Sequence, residues 1–197
     1  VLKFDKATSD ITPGIYEIEV ALSVPDRTKE IVHTVYFTIK NTMDIFDVRA
    51  GVSSSKSSSV DDLVIVDSEN NWSGEKGSFY QGQYVHVAFT VATPIKTGVR
   101  FVKPHQVFVK FSHEESGVTS FFVGASGGTY TPAKGDKYSG FGAKYGPTVS
   151  LAGEADTFYH LSGNYIVSIL VGDATTDAQE YVVGSVRLEF NKQEEKF

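Results

Sequence analysis

The sequence predicts an all-β protein, and three observations lead to that prediction. Four segments place apolar residues at every second position, which gives an extended strand one core-facing side and one outer side. No stretch of the 197 residues shows a long apolar period of 3.6 residues. Turn-forming residues separate the segments, which favours an antiparallel two-sheet sandwich over a parallel sheet with helical crossovers. The predicted core-facing sets are Val85, Val87, Phe89 and Val91; Val107, Val109 and Phe111; Tyr165, Val167, Ile169 and Val171; and Val186, Leu188 and Phe190.

The first predicted element is a hairpin near the start of the chain. Residues 15–24 and 31–40 have the alternation and composition of strands, and Pro25 and Asp26 begin the turn between them. The alternation then ends at Asn41.

This interruption predicts a domain boundary. We expect residues 1–43 to be the end of a preceding β domain, and residues 44–197 to form an immunoglobulin-like antiparallel β-sandwich. A single sandwich that uses every strand is the alternative. Residues 1–6 look like the interior of a longer protein, so we expect the chain to be a fragment.

Polar segments separate the strands predicted after the boundary. Residues 53–59 are almost entirely serine and predict a flexible loop. Residues 67–83 are turn-rich, residues 113–117 predict a hairpin loop, and residues 124–153 are the least regular part. The glycine-rich residues 124–128 lack the following helix of a phosphate-binding motif and predict a loop. The predicted strands cover residues 45–52, 60–66, 84–91, 107–111, 118–123, 165–171 and 181–190.

Composition excludes several classes of function. The net charge is -6 and the basic residues are scattered, whereas sequence-independent nucleic-acid binding needs clustered Lys and Arg. The chain contains no cysteine, so thiol catalysis, thiolate metal sites and disulfides are excluded. The high aromatic content of 13% favours strand packing, with a sugar-stacking platform as the alternative.

The histidines and carboxylates do not form a recognisable catalytic or metal motif. Two imidazoles aimed at one metal need a short spacing such as HxH or HExxH, which is absent here. Neighbouring carboxylates could serve glycoside hydrolysis or bind calcium, but adjacent acids on a strand or loop usually point apart or into solvent. We therefore predict no catalytic residue, no cofactor and no metal. The residues considered are His33, His86, His105, His113 and His160, and the acid pairs Asp61–Asp62, Glu114–Glu115, Glu154 with Asp156, and Glu194–Glu195.

One short motif predicts a covalent modification. Asn71-Trp72-Ser73 is an acceptor sequence for N-glycosylation, and it lies in a segment predicted to be a polar loop. Asn71 is therefore a candidate glycosylation site, provided that the chain enters a secretory compartment.

A set of short motifs in a fixed order resembles the ribophorin II family, whose members are subunits of the oligosaccharyltransferase complex. The motifs are PHQxFV at residues 104–109, FFV at 121–123, SGxY at 162–165, GDAT at 172–175 and VxLEF at 186–190. The resemblance covers residues 44–190 and is closest to the membrane-proximal luminal β domain of that family. Residues 124–153 depart from the family because they are longer and richer in Gly and Tyr than the usual connection.

The resemblance implies a non-catalytic, luminal subunit of the endoplasmic reticulum that supports protein N-glycosylation. Its partners would be other subunits of the complex and the nascent polypeptide, and the catalytic residues and metal would belong to another subunit. The full-length protein would be anchored in the membrane by segments beyond this chain. The hairpin would be the end of the preceding luminal β domain.

Within the motifs we expect structural roles. Pro104 and Gly172 would shape turns, while His105, Gln106 and Asp173 would fix loop ends through hydrogen bonds between side chain and backbone. Direct subunit contact is the alternative. The motif residues considered are Pro104, His105, Gln106, Phe108, Val109, Gly163, Tyr165, Gly172, Asp173, Ala174 and Thr175.

Surface aromatic residues are the expected contact points of a docking subunit, with Tyr36 and Tyr80 as examples. Two other functions stay open at this stage. A carbohydrate-binding or adhesion module would use a stacking surface, and a glycoside hydrolase would need two convergent carboxylates. The aromatic residues of the stacking surface would be Tyr130, Tyr138, Phe141 and Tyr145.

Overall fold

The computed structural model of the protein describes residues 12–22, 31–67, 69–94, 101–138 and 141–190. Strands dominate these residues, with single helical turns at Val60–Asp62 and Phe79–Gln81. The strands are β1 (Gly14–Leu22), β2 (Ile31–Ile39), β3 (Asp44–Ser53), β4 (Val64–Val66), β5 (Trp72–Ser78), β6 (Tyr84–Ala92), β7 (Gln106–His113), β8 (Thr119–Val123), β9 (Ser126–Tyr130), β10 (Gly142–Tyr145), β11 (Thr148–Ser150), β12 (Gly163–Asp173) and β13 (Thr176–Glu189).

Two sheets form the sandwich, and the prediction of an immunoglobulin-like β-sandwich is confirmed. The six-stranded sheet has the order β4-β3-β6-β10-β9, and β11 pairs with another part of β6. The five-stranded sheet has the order β5-β13-β12-β7-β8. The hairpin of β1 and β2 is a separate two-stranded sheet.

The core lies between the two sheets and contains every residue of the four predicted core-facing sets. Each of these side chains is at most 5% exposed. Large rings fill the gaps between the aliphatic residues: Phe158 contacts the rings of Phe111, Tyr165 and Phe190 at centroid distances of 5.1–5.5 Å. The alternation in the sequence therefore identified the inner faces correctly, because packing against the opposite sheet is what selects apolar residues there.

The prediction for residues 67–83 was wrong, since they contain a strand. Strand β5 pairs with β13 in parallel, so one pairing of the described sandwich departs from the expected antiparallel pattern. Trp72 anchors β5 because its side chain is only 1% exposed. The remaining residues of β5 alternate poorly, and Gly74 has a φ of 80°, which explains why periodicity did not reveal the strand.

Residues 124–153 are also more regular than predicted, because they contain β9, β10 and β11. The glycine-rich part of this segment, predicted as a loop, supplies most of β9, which pairs with β10. Every residue of β9 except Tyr130 is exposed, so packing does not impose an apolar pattern on it. The strand predicted at 60–66 is shortened to β4, because the Ser59 side chain caps a helical turn there.

The hairpin prediction agrees with β1 and β2, which pair from Gly14 with Ile39 to Leu22 with Ile31. The turn predicted at residues 25–30 lies outside the described residues. The hairpin predicted around residues 113–117 is confirmed by the pairing of β7 with β8. The proposed domain boundary stays a prediction.

Candidate functional site

The outer face of the five-stranded sheet carries several neighbouring apolar side chains. Strand alternation that buries Val107 and Val109 directs Phe108 outward, and the same geometry exposes Phe121 and Val123 on β8. The register places Val123 beside Phe108, and Phe108 beside Leu170. Phe121 is 51% exposed and Val123 is 73% exposed. We use the term apolar strip for the four residues Phe108, Phe121, Val123 and Leu170.

A groove of about 550 Å³ is lined by three residues of the apolar strip, Phe108, Phe121 and Leu170. It is bounded by β7, β8, β12 and the first half of β13. The rings of Phe108 and Phe121 meet edge to face at a centroid distance of 6.5 Å, which leaves ring surface facing solvent. Apolar surface of this kind, next to polar groups, is typical of a protein–protein contact.

An ion pair borders the apolar strip. Lys110 Nζ lies 2.5 Å from a carboxylate oxygen of Glu180, across the intervening strand β12. The hydrogen bond from Lys110 is the main cause that lowers the pKa of the Glu180 carboxyl, and a hydrogen bond from Ser168 adds to it. The pair forms a polar rim beside the strip.

The motifs at residues 104–109 and 172–175 meet at one end of this groove. Asp173 holds them together: its carboxylate accepts the backbone N–H of His105 at 3.0 Å. The other carboxylate oxygen accepts the backbone N–H of Thr175 at 2.7 Å and the Thr175 hydroxyl at 3.0 Å. Partial burial alone raises the pKa of the Asp173 carboxyl, but these hydrogen bonds outweigh it and lower the pKa below its usual value.

A second depression of about 400 Å³ adjoins the groove at this corner. The two share Gln106, Gly172 and Ala178 in their walls. A Cβ at Gly172 would lie 3.2 Å from the Cα of Ala178, so a side chain there would crowd the opposite strand. The corner therefore needs a glycine to keep β12 and β13 close.

The predicted motif residues divide between core and surface. Val109 and Tyr165 are fully buried, and Pro104 is buried at the start of β7. His105, Gln106 and Ala174 are exposed at the corner. The structure thus brings the two motifs into contact, while the motif at 162–165 lies at the opposite end of β12.

That opposite end is tied by side-chain hydrogen bonds. The Ser162 hydroxyl accepts the backbone N–H of Phe190 at 2.8 Å and donates to the Phe190 carbonyl at 3.1 Å. The Tyr165 hydroxyl donates to the Leu161 carbonyl at 2.7 Å, an arrangement known as a tyrosine corner in sandwich folds. Burial raises the pKa of Tyr165 to about 12, so the hydroxyl stays protonated as a donor.

Gly163 lies against a buried histidine. It has a φ of 154°, and a Cβ there would lie 2.4 Å from Nε2 of His113. His113 is 4% exposed, and its ring nitrogens contact the Ser116 hydroxyl at 2.9 Å and the Ser162 carbonyl at 3.3 Å. This histidine is therefore held on both sides and has a structural role.

Sequence reasoning missed Asn41, a completely buried polar residue between β2 and β3. Its backbone N–H donates to the Thr175 carbonyl at 2.6 Å, and its carbonyl accepts the N–H of Asp177 at 3.2 Å. Its side-chain oxygen accepts the Thr93 hydroxyl at 2.8 Å, and its amide donates to the Val102 carbonyl at 3.2 Å. The end of the alternation at Asn41 was the signal available in the sequence.

The four aromatic residues predicted as a sugar-stacking surface do not form one. Tyr138 is 4% exposed and stacks on Phe46 at a centroid distance of 4.2 Å. Tyr145 is 3% exposed and stacks on Phe89 at 5.4 Å. Only Phe141 of the four is strongly exposed, at 62%. Tyr138 and Tyr145 are buried because β10 and its neighbours are more regular than the sequence indicated.

Three of the four candidate acid pairs lie on turns, and the fourth, Glu194–Glu195, lies outside the described residues. Asp61 and Asp62 are exposed in the helical turn before β4, and Glu114 and Glu115 are exposed between β7 and β8. Asp156 Oδ1 lies 2.7 Å from Nε2 of His160, four residues later in the chain. Within the described ranges, no group of three His, Cys, Asp or Glu side chains could hold a metal ion.

No helix in the described part of the chain is long and apolar enough to cross a membrane.

Comparison with known proteins identifies the family. The model described as Ribophorin II third domain matches residues 47–188, well over half of the chain. Subunit 2 of dolichyl-diphosphooligosaccharide–protein glycosyltransferase from Oryza sativa subsp. japonica is 26% identical over 181 residues. That alignment covers 88% of this chain and 23% of the rice protein, so the chain spans about a quarter of the length of this relative. On the strength of the match across the sandwich, the chain belongs to the ribophorin II third-domain family.

Proposed function

We propose that this sandwich is a non-catalytic docking domain of an oligosaccharyltransferase subunit in the lumen of the endoplasmic reticulum. The full-length protein would be anchored in the membrane by segments outside this chain. Support comes from the family match and from a relative whose name is that of a subunit of a protein glycosyltransferase. The domain would support protein N-glycosylation by holding other subunits of the complex through surface contacts.

The apolar strip is the observation that carries this proposal. Phe121 and Val123 project from β8, which is an edge strand of the five-stranded sheet as far as the described residues show. The Lys110–Glu180 ion pair gives the strip a charged border that can fix the orientation of a partner. The occupant we propose is another subunit of the same complex, whose apolar surface would cover the strip.

A nascent polypeptide is a second candidate occupant, and the edge position of β8 favours it. The backbone groups on the outer side of an edge strand can pair with an extended chain, while exposed side chains select its sequence. Crosslinking to nascent chains instead of to a subunit would identify this occupant.

The docking role is tested by matched substitutions in the full-length protein. Phe121→Ser removes the more exposed of the two rings in the apolar strip, whereas Ile65→Ser changes a residue of almost equal exposure, 52%, on the other sheet. We expect Phe121→Ser to reduce co-purification of other subunits from detergent-solubilised microsomes several-fold, and Ile65→Ser to leave it unchanged. Resistance to limited proteolysis would show that both variants are folded. Full recovery of the complex with Phe121→Ser would contradict the proposed surface.

The non-catalytic role has its own test. The purified full-length protein, free of other subunits, should transfer no oligosaccharide to an acceptor peptide under conditions where the complete complex does. Transfer by the protein alone would overturn this part of the proposal.

A further inference from the structure

The acceptor sequence Asn71-Trp72-Ser73 lies where a turn passes into an edge strand. Asp67 closes that turn, since its carboxylate accepts the N–H groups of Glu69 and Asn70, each at 2.9 Å. Asn71 follows directly and is exposed, and Ser73 is exposed on β5. A substituent on the Asn71 amide can therefore extend into solvent without displacing a buried group.

The pairing of β5 gives this acceptor sequence a long period of accessibility during synthesis. Trp72 pairs with Gly184, which lies 112 residues later in the chain (184 − 72). Until β13 has been synthesised, β5 has no parallel partner and Trp72 has no core to enter. In the folded protein Trp72 is 1% exposed, and a Cβ at Gly184 would lie 1.9 Å from its carbonyl oxygen. The whole tripeptide is therefore accessible to an enzyme before folding, whereas its central residue is buried afterwards.

We propose that Asn71 carries an N-linked glycan, an inference that rests on the luminal location proposed above. The donor is an oligosaccharide linked to a polyprenyl diphosphate. A bond forms between the Asn71 amide nitrogen and C1 of the first sugar, and the bond between C1 and the diphosphate oxygen breaks. The nitrogen loses one proton, which passes to the solvent, and the polyprenyl diphosphate leaves with the bonding electrons.

The position of this glycan is compatible with docking on the apolar strip. Strand β5 and strand β8 are at opposite edges of the five-stranded sheet. Strand β5 pairs with β13 from Gly184 to Glu189, whereas the groove uses Ala178, Gln179 and Glu180 at the other half of β13. The glycan would cover the β5 edge and leave the strip accessible to a partner.

The test uses the full-length protein expressed in cells with an active secretory pathway. Its tryptic peptides are analysed by mass spectrometry after enzymatic deglycosylation in heavy-oxygen water, which converts a modified asparagine to labelled aspartate. We expect the label at Asn71 in the unchanged protein and in Ser73→Thr, which keeps the acceptor sequence. It should be lost in Asn71→Gln and in Ser73→Ala.

A control distinguishes failure of this inference from failure of the proposed location. Lys56→Asn places an additional acceptor sequence in the exposed serine-rich loop, two positions before Ser58. Labelling at position 56 without labelling at Asn71 would overturn the modification and leave the luminal location intact. An absence of label at both positions would overturn both the modification and the luminal location.

Discussion

The carboxylate of Asp173 connects two loop ends that are 68 residues apart in the sequence. It accepts three hydrogen bonds from His105 and Thr175, and each donor would otherwise depend on solvent at an irregular turn. The resemblance at residues 104–109 and 172–175 therefore has a physical explanation. The two motifs occur together because each completes the hydrogen bonds of the other.

Replacing Asp173 tests that role. Asp173→Ala removes three hydrogen bonds to a charged acceptor, so we expect the free energy of unfolding to fall by about 1–3 kcal/mol. Chemical denaturation followed by fluorescence measures the change. Normal stability together with loss of subunit assembly would instead assign Asp173 to direct contact with a partner.

The change in the free energy of unfolding as the pH falls gives an independent measurement of the same interaction. The folded pKa of Asp173 is lowered, so its contribution is present above the unfolded pKa and is lost as the pH falls through the folded value. Below about pH 4, we expect the free energy of unfolding of Asp173→Asn to depend less on pH than that of the unchanged protein. The same dependence of stability on acid pH in both proteins would contradict a stabilising role for the Asp173 carboxylate.

Gly163 is a second residue whose identity is fixed by its surroundings. Because His113 is buried and hydrogen-bonded at both ring nitrogens, it cannot move easily away from a new Cβ. We expect Gly163→Ala to destabilise the protein by about 2–4 kcal/mol, from backbone strain and the clash together. Gly146→Ala is the matched control, since a Cβ at Gly146 would meet nothing within 4 Å. Equal denaturation midpoints for the two variants would refute the explanation.

At the scale of elements, the segment that joins β2 to β3 is fixed to the sandwich. Asn41 is paired through its backbone with the turn between β12 and β13, and Lys40 lies 2.9 Å from the Asp177 carboxylate. A chain that enters the sandwich here is therefore attached to the same corner that Asp173 closes. The hairpin therefore joins the sandwich at a position held by these contacts.

Removal of the Asn41 side chain should weaken that attachment. Asn41→Ala removes the hydrogen bonds that the buried side chain makes with the Thr93 hydroxyl and the Val102 carbonyl, so we expect a loss of about 2–4 kcal/mol in unfolding free energy. Thr42→Ala changes the exposed neighbour and should be nearly neutral. Urea titration of both variants measures the difference. A neutral Asn41→Ala would show that the buried network does not stabilise the junction.

The elements differ in how well the sequence could reveal them. Strands β6, β7, β12 and β13 pack one face on the opposite sheet, so burial imposes alternation that can be read directly. Strand β5 is held by Trp72 and a parallel partner far along the chain, and β9 is exposed, so neither shows the pattern. Asn41 was missed because a buried polar residue is recognised by its partners, which only the fold brings together.

At the scale of the whole molecule, the inner and outer faces of the sandwich differ. Both inner faces are fully occupied by the core, whereas the outer face of the five-stranded sheet presents the apolar strip beside a charged pair. The family match extends across residues 47–188 and so includes both sheets. Stability of the sandwich and the proposed docking on its outer face would therefore depend on opposite sides of the same strands, β7 and β12.

Site-specific photocrosslinking in intact microsomes tests the docking claim most directly. A photoreactive phenylalanine analogue is introduced in place of Phe121 in the full-length protein, and in place of Ile65 in a matched control. We expect irradiation to join position 121, and not position 65, to another subunit of the oligosaccharyltransferase complex. The docking claim would be contradicted if position 121 formed no crosslink to another subunit, or formed one no more often than position 65.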